Sequence, residues 1–156
     1  MDLIDEKILA LLQDDATLSI AEIGQRVGLS QTPCWKRIQR FESEGLIERR
    51  VAILNPEKLG FGLTVFVSVE IDDHSSDRLA HLADQISRMP EVLEFYRMAG
   101  DVDYMMRVVV VDMAAYDKFY KRLIESTPLK NVTSRFAMER IKATTALPIR
   151  LPAPAA

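Results

Sequence analysis

The first part of the chain repeats its apolar residues every three or four positions, which is the spacing of one face of an α-helix. This pattern predicts one helix over about residues 2–13 and two shorter helices between residues 19 and 41. Gly28 separates the two shorter helices, and it suits the left-handed conformation that ends a helix because glycine has no Cβ to clash. We therefore expect three short helices with a tight turn before the third.

Capping residues mark the starts of the two shorter helices. Ser19 is followed three positions later by Glu22, which is the spacing of a capping box. Ser30 stands at the next start, where its hydroxyl can cap the helix. Pro33 then falls in the first turn, where a missing N–H costs nothing. These signals predict two helices separated by only a few residues.

The third helix has two unlike faces. Cys34, Ile38 and Phe41 are spaced to face a core. The outer face is polar and basic, with Gln31, Thr32, Lys36, Arg37, Gln39 and Arg40. Two helices joined by a tight turn, the second basic on its outside, are typical of a helix-turn-helix that reads the major groove of duplex DNA. An ordinary helical hairpin with a solvated basic face is the alternative interpretation.

After residue 60 the pattern changes to runs rich in β-branched and aromatic residues, separated by two segments of helical spacing. The predicted order is strand, helix, strand, strand, helix, strand, over about residues 61–71, 75–89, 92–98, 102–111, 112–124 and 131–141. This βαββαβ order is that of a ferredoxin-like domain, so the fold class is α+β. Helices would cover one face of the sheet, and a second copy of the chain is the simplest cover for the other.

A linker separates the two patterns. Residues 55–60, with the sequence NPEKLG, have the chemistry of a turn. The predicted division is a three-helix winged helix-turn-helix domain (1–54), the linker (55–60), a βαββαβ domain (61–147) and a Pro-rich tail (148–156). Within the first domain, Leu46 and Ile47 are expected to complete the core, and residues 49–54 to form a short strand or wing. The tail is expected to be disordered or loosely docked.

Composition narrows the class of protein. The apolar runs are too short to span a bilayer and no secretory signal opens the chain, so a cytoplasmic location is expected. One cysteine excludes an internal disulfide and a zinc site built on paired cysteines. The formal net charge of −3 weakens the DNA interpretation, but three bases and no acid lie between Trp35 and Phe41. Because DNA affinity follows local phosphate contacts, an acidic protein can bind DNA through one basic face.

No group of residues predicts an enzyme or a metal centre. Asp101 and Asp103 can share one face of a strand, but no nucleophile or base accompanies them and turns are rich in aspartate. His74 and His81 lack cysteine or acidic partners at metal-binding spacing. We therefore predict no catalytic residue, no metal and no cofactor.

Several separated motifs together resemble the Lrp/AsnC family of feast/famine transcriptional regulators. They are the helix-turn-helix segment LSQTPCWKRIQRFESEGLI, the hairpin GDVDY and the phrase FAMERIKATTALP. TPCWKR and FYRMAGDVDYMMRV are most similar to the DecR-like branch of the family, which is associated with a cysteine response. The resemblance covers nearly the whole chain, from residue 2 to about residue 148.

The resemblance implies two sites and an assembly. In the family the second helix of the helix-turn-helix enters the major groove, and the matching DNA-binding positions here are Ser30, Gln31, Thr32, Trp35, Lys36, Arg37 and Arg40. Small effectors, usually amino acids, bind between dimers, and the matching effector-binding positions are Gly100, Asp101, Val102, Asp103, Tyr104, Thr133 and Ser134. Dimers of the family commonly join into octamers or related rings. Trp35 stands where a smaller aliphatic residue is frequent, and Val102 where tyrosine is frequent.

Pattern and resemblance together predict a homo-oligomeric, sequence-specific transcriptional regulator of amino acid metabolism. Its DNA binding or assembly is expected to respond to a small amino acid, with cysteine as one candidate. The expected partners are double-stranded DNA, the effector and further copies of the chain, and no membrane. The alternatives are an architectural DNA-binding protein without an effector and a small-molecule-binding enzyme of ferredoxin-like fold.

Overall fold

A computed structural model describes residues 1–72, 75–126 and 128–149, without the side chains of Ser76 and Ser126. The chain divides into two compact units. One contains residues 1–53 together with the chain from residue 142 onward, and the other contains residues 54–141. Each unit has its own hydrophobic core. Among the described residues, no helix combines the length and the apolar character that a membrane crossing requires.

Three helices form the first unit, as predicted: α1 (Leu3–Asp14), α2 (Ile20–Val27) and α3 (Gln31–Ser43). Their apolar faces meet in a small core of Ile8, Leu9, Ile23, Cys34, Ile38 and Phe41. After α3, the Ile47 N–H donates to the Phe41 carbonyl at 3.1 Å, which turns Ile47 toward this core. The neighbouring Leu46 then faces outward and is 53% exposed, so the prediction that Leu46 completes the core is wrong.

The turn between α2 and α3 is tight because glycines permit it. Gly28 has the predicted left-handed conformation, with φ of +75°. The Leu29 N–H donates to the Gly24 carbonyl at 2.8 Å, and a Cβ on Gly24 would lie only 2.7 Å from the Leu29 oxygen. At the start of α2, Ser19 and Glu22 form the predicted capping box. These contacts set the direction in which α3 leaves the turn.

The second unit is a four-stranded antiparallel sheet with two helices. Its strands are β1 (Leu63–Glu70), β2 (Val92–Arg97), β3 (Tyr104–Val110) and β4 (Asn131–Phe136), in the order β2-β3-β1-β4. The helices α4 (Ser76–Ser87) and α5 (Met113–Ser126) connect β1 to β2 and β3 to β4. This arrangement confirms the predicted βαββαβ order.

Alternation along the strands separates two faces of the sheet. One face packs against both helices, with a core that includes Val65, Val67, Val69, Leu82, Ile86, Phe119 and Leu123. On the opposite face, which we call the open face, Phe66 is 40% exposed and is paired in register with Arg107 and Arg135. Arg107 donates to Glu94 at 2.6 Å, and Arg135 donates to the Ser68 hydroxyl at 2.9 Å.

Two of the predicted strand segments differ from the structure. Residues 49–54, expected to form a short strand or wing, lie outside regular secondary structure, and β4 ends at Phe136 rather than near residue 141. A strand persists only where a neighbouring strand takes its backbone hydrogen bonds. The Ala137 N–H still donates to the Thr64 carbonyl at 2.9 Å, but β1 begins at Leu63 and offers no partner to later residues of the chain.

The C-terminal segment returns to the first unit. The Gln13 side chain binds the Leu147 backbone twice: its oxygen accepts from the Leu147 N–H at 2.6 Å and its nitrogen donates to the Leu147 carbonyl at 3.2 Å. Ile149 packs against the helical core. The predicted boundary at residue 147 therefore differs from the division of the structure, in which the chain rejoins the first unit from residue 142. Residues 150–156 of the predicted tail lie outside the described residues.

Candidate nucleic-acid interface and effector hairpin

The N-terminal half of α3 presents a polar surface with one large aromatic residue. Gln31, Thr32, Trp35 and Lys36 are all exposed, and their spacing places them on one side of the helix. Within the part of the chain that the structure describes, their side chains make no hydrogen bond and no ion pair. Four of the predicted DNA-binding residues therefore share one exposed surface, and their side chains are not bonded to the rest of the described chain.

Ser30 occupies the N-cap position of α3, as predicted, but its side chain makes no capping hydrogen bond. The prediction that its hydroxyl caps the helix is therefore wrong. The first N–H groups of a helix have no partner within the helix, and they carry the positive end of its dipole. The start of α3 thus suits an anion such as a phosphate.

Arg37 and Arg40 are engaged by α1. Arg37 Nη1 lies 2.7 Å from Asp2 Oδ2 and 2.5 Å from Asp5 Oδ1, and Arg40 Nη2 lies 2.7 Å from Asp5 Oδ2. The Arg37 side chain is 25% exposed and that of Arg40 is 45% exposed. The prediction that Arg37 lies on the outer side of α3 is wrong, because Arg37 is three residues from Cys34 and four from Phe41 and so lies near the buried side of the helix.

Asp5 is the centre of this ionic cluster of Asp2, Asp5, Arg37 and Arg40. It is 2% exposed, and it also accepts a hydrogen bond from the Asp2 N–H at 3.0 Å. Burial by itself raises the pKa of the Asp5 carboxyl. The hydrogen bonds from the Asp2 backbone and from both guanidinium groups outweigh burial and hold that pKa below its usual value. The carboxylate of Asp5 is thus charged, buried and fully partnered.

The sequence alone did not indicate this cluster, because the acids precede the arginines by 32 and 35 residues. One feature of the sequence did point to a buried charge at Asp5. Asp5 lies three residues before the buried Ile8, so it falls on the core side of α1. A carboxylate on that side requires a cationic partner.

The GDVDY segment forms the predicted hairpin between β2 and β3. Gly100 has φ of +142°, a conformation that side chains rarely adopt, and the Met98 N–H closes the turn by donating to the Asp103 carbonyl at 2.8 Å. Asp103 also accepts a hydrogen bond from the Ile71 N–H at 2.8 Å through its carboxylate. The carboxylate of Asp101 is exposed instead. The two aspartates therefore have different surroundings.

The other predicted effector residues on the strands are dispersed. Tyr104 is 5% exposed, and its ring stacks on Phe95 with 5.1 Å between the ring centroids. Thr133 and Ser134 are consecutive in β4 and so point to opposite faces of the sheet. Ser134 shares a hydrogen bond with the Tyr116 hydroxyl of α5, whose pKa is raised by burial. The expectation that Thr133 and Ser134 line one region is therefore wrong within a single chain.

Both halves of the chain match known families. A model described as winged helix-turn-helix DNA-binding matches residues 1–48. A model described as the Lrp/AsnC ligand binding domain matches residues 64–147, just over half of the chain. The chain belongs to the Lrp/AsnC family of transcriptional regulators.

Relatives within the Lrp/AsnC family match over nearly their full length. The DNA-binding transcriptional activator DecR of Escherichia coli is 54% identical over 150 residues, covering 96% of this chain and 99% of that protein. The glutamate uptake regulatory protein of Zymomonas mobilis is 44% identical over 149 residues, covering 96% and 91%. Because these relatives are named as transcriptional regulators and residues 1–48 match a DNA-binding helix-turn-helix, this chain is a transcriptional regulator and not an enzyme.

Solved structures of transcriptional regulators share the fold. An AsnC family transcriptional regulator from Agrobacterium tumefaciens has a TM-score of 0.93 at 55% identity, covering 95% of this chain and 97% of that one. A transcriptional regulator from Neisseria meningitidis in complex with L-Met has a TM-score of 0.90 at 33% identity, covering 95% and 96%. The predicted α+β fold, a winged helix-turn-helix domain followed by a ferredoxin-like domain, is confirmed.

In this Lrp/AsnC regulator the ionic cluster predicts a pH-dependent stability of the helical unit. Because the folded pKa of Asp5 is lowered, its contribution is complete above the unfolded value of about 4 and is lost as the pH falls through the folded pKa. We expect Asp5→Asn to lower the free energy of unfolding by about 2 kcal/mol at pH 7, and by less at pH 3. Urea denaturation followed by the fluorescence of Trp35, the single tryptophan, measures both values.

The matched control is Asp14→Asn, which removes an exposed aspartate at the other end of α1. A surface change of this kind is expected to alter the free energy of unfolding by less than about 0.5 kcal/mol. Equal effects of the two substitutions, or an effect of Asp5→Asn that does not depend on pH, would contradict the role assigned to Asp5.

Proposed function

We propose that this regulator binds a specific sequence of duplex DNA with α3 in the major groove, and that a small amino acid controls its DNA binding or its assembly. The proposal rests on the exposed surface of α3, whose side chains Gln31, Thr32, Trp35 and Lys36 make no hydrogen bond or ion pair with the described residues. The same chain contains an Lrp/AsnC ligand-binding domain. Relatives are named for glutamate uptake and for leucine response. These names support target genes in amino acid metabolism.

The proposed DNA contacts are of two kinds. Gln31, Thr32 and Trp35 lie in the N-terminal half of α3, where recognition helices meet base edges. Ser30 and Lys36 are proposed to contact phosphates, which position the protein without reading sequence. The uncapped helix start and the unpaired Lys36 ammonium favour such contacts.

The two arginines of α3 take different roles in this proposal. Arg40 has 45% of its side chain exposed, so a phosphate can approach its guanidinium while Asp5 holds the other edge. Arg37 donates hydrogen bonds to both Asp2 and Asp5. We therefore assign Arg37 to positioning α3 on α1, and Arg40 to both tasks.

The effector is proposed to bind at the hairpin between copies of the chain. We propose that the exposed Asp101 meets the ammonium group of an amino acid, because the Asp103 carboxylate already receives the Ile71 N–H. Gly100, with no side chain, lets the backbone lie close to a ligand. Val102 is half-buried beside it and is proposed to contact the effector side chain.

The predicted effector residues that lie in strands are Tyr104, Thr133 and Ser134, and we propose that only Thr133 contacts the effector. Thr133 lies on the open face of the sheet, where a second copy of the chain can bring an effector against it. Tyr104 and Ser134 lie on the helix-covered side. We propose that they support the hairpin and β4 from the core rather than contact the effector.

L-cysteine is the first effector to test, because the motifs resemble the DecR-like branch and DecR of Escherichia coli is 54% identical. L-methionine is the second, because the Neisseria meningitidis regulator forms a complex with L-Met. Both molecules offer an ammonium group to Asp101 and a compact sulfur-containing side chain to Val102. Only an effector with different affinities for two states of the regulator can shift DNA binding.

A second copy of the chain is proposed to cover the open face of the sheet. Phe66 stands in the middle of that face and is 40% exposed, while both helices pack on the other side. A two-fold dimer would present two recognition helices to half-sites about 34 Å apart, or a multiple of that distance. Dimers joining into an octamer or similar ring would place hairpins of neighbouring dimers together.

Lys36→Ala is expected to weaken binding to DNA and to flatten its salt dependence. Removing one phosphate contact lowers the slope of the logarithm of the association constant against that of the salt concentration by about 1 per bound chain. Fluorescence anisotropy from 50 to 300 mM salt, on a duplex selected from random DNA, measures the slope. Lys58→Ala, an exposed lysine of the other unit, is the matched control. An unchanged slope for Lys36→Ala removes Lys36 from the interface.

Asp101→Ala is expected to weaken effector binding at least about 10-fold, as for the loss of a hydrogen bond to a charged group. DNA binding without effector should stay within about two-fold. Calorimetry of the full-length protein with L-cysteine, L-methionine, L-leucine and L-glutamate measures the affinities. Asp72→Ala, an exposed aspartate of the same unit, is the control. Normal affinity in the Asp101 variant would place the site elsewhere.

Phe66→Glu is expected to dissociate the assembly into folded single chains. The new carboxylate lies between Arg107 and Arg135, so one chain tolerates it, whereas an apolar contact between copies does not. Sedimentation velocity measures the change, and circular dichroism checks the fold. Ile124→Glu adds the same charge to α5 at a residue that is 44% exposed. If only the Ile124 variant dissociates, the copies meet through the helices and not through the open face.

A further inference from the structure

The surface of α3 that is proposed to meet DNA contains a notch lined by two apolar and two polar residues. It has a volume of about 270 Å³ and is lined by Ile20, Gln31, Thr32 and Trp35. Ile20 is the first residue of α2, so the notch lies between the starts of the two helices of the helix-turn-helix. Trp35 forms one wall and is 46% exposed. A tryptophan exposed to this degree is an apolar surface without a partner.

The polar groups around the notch are also without partners. In the described ranges of the chain, no hydrogen bond involves the side chains of Gln31, Thr32 or Trp35. On the opposite flank of α3, Arg37 and Arg40 are held by Asp2 and Asp5. The polar groups of α3 that line the notch are therefore an amide, a hydroxyl and an indole N–H, and none of them is charged.

This combination matches the major-groove edge of an A·T base pair. The only apolar group on that edge of DNA is the 5-methyl group of thymine, and glutamine can bind adenine N6 and N7 together. A phosphate would be a poor occupant because the notch has two apolar walls and no charged residue. Stacking on a base face would require unpaired DNA, which the major groove of a duplex does not offer.

We propose that Trp35 is a specificity-determining residue that, with Ile20, receives the 5-methyl group of one thymine in each half-site. Gln31 and Thr32 then lie beside the same or the adjacent base pair. The proposal rests on the proposed binding of duplex DNA by α3. It assigns the sequence preference of the regulator to an apolar contact and not to the arginines of the recognition helix.

The test removes only the methyl group. Full-length wild-type protein first selects its preferred duplex from random DNA, and each thymine of that duplex is then replaced singly by deoxyuridine. We expect one thymine per half-site at which the replacement weakens wild-type binding about four-fold, the equivalent of ~0.8 kcal/mol for one buried CH₂ group. In Trp35→Ala, the same replacement should leave affinity unchanged.

Matched variants distinguish the loss of this methyl contact from a general loss of DNA affinity. Ile20→Ala removes the other apolar wall. It should reduce, but not abolish, the methyl effect, which is the loss of affinity when thymine is replaced by deoxyuridine. Gln39→Ala changes an exposed polar residue of α3 outside the notch and should keep the full effect. Since Trp35 is the single tryptophan, its emission should shift to shorter wavelength when the wild-type protein binds the thymine duplex.

The outcomes distinguish this inference from the proposed function on which it rests. If Trp35→Ala weakens every duplex equally and each deoxyuridine replacement costs both proteins the same, Trp35 does not read thymine, while DNA binding by α3 stands. If the wild-type protein selects no sequence and competitor DNA displaces it freely, the proposed sequence-specific function fails, and the specificity inference fails with it. A methyl effect that is lost only in variants of the notch supports both.

Discussion

The arrangement of the helical unit depends on one buried carboxylate. Asp5 is 2% exposed, and its two oxygens receive Arg37 and Arg40 of α3 at 2.5 and 2.7 Å. A buried carboxylate is costly unless it is paired, so α1 and α3 pack in the register that brings Asp5 to these arginines. The same contact decides which bases of α3 lie in ion pairs. Arg37 is held by two carboxylates of α1, Arg40 keeps 45% of its side chain exposed beside Asp5, and Lys36 makes no ion pair with the described residues.

The ligand-binding unit is connected to this helical unit at both of its ends. The chain leaves the helical unit after residue 53 and rejoins it from residue 142. Gln13 then holds the Leu147 backbone by two hydrogen bonds, in the manner of one strand holding another, and Ile149 adds apolar contact with the core. A single linker near residue 55 therefore does not describe the connection. Two segments of chain join the units.

Much of the architecture was predictable because it follows from local rules. The helices, the Ser19–Glu22 capping box and the left-handed Gly28 depend on residues within one or two turns of each other. The βαββαβ order follows from period and turn residues alone. Some of the wrong predictions concern contacts between distant residues, whereas the missing Ser30 cap and the exposed Leu46 are local features. Arg37 was expected outside because Asp5 is distant from it in sequence. Strand alternation, a local rule, is enough to separate Thr133 from Ser134.

The sequence by itself determined the type and order of the elements, the presence of a helix-turn-helix and the family, because these are carried by local periodicity, caps and contiguous motifs. Only the tertiary structure decided which charges of α3 lie in ion pairs, which aspartate of the hairpin is exposed, and that residues 142–149 return to the helical unit. The physical reason is that ion pairing and burial depend on which residues the fold brings together, and these residues can be distant in sequence. A guanidinium is a DNA contact or a structural ion pair according to the carboxylate that the fold brings to it.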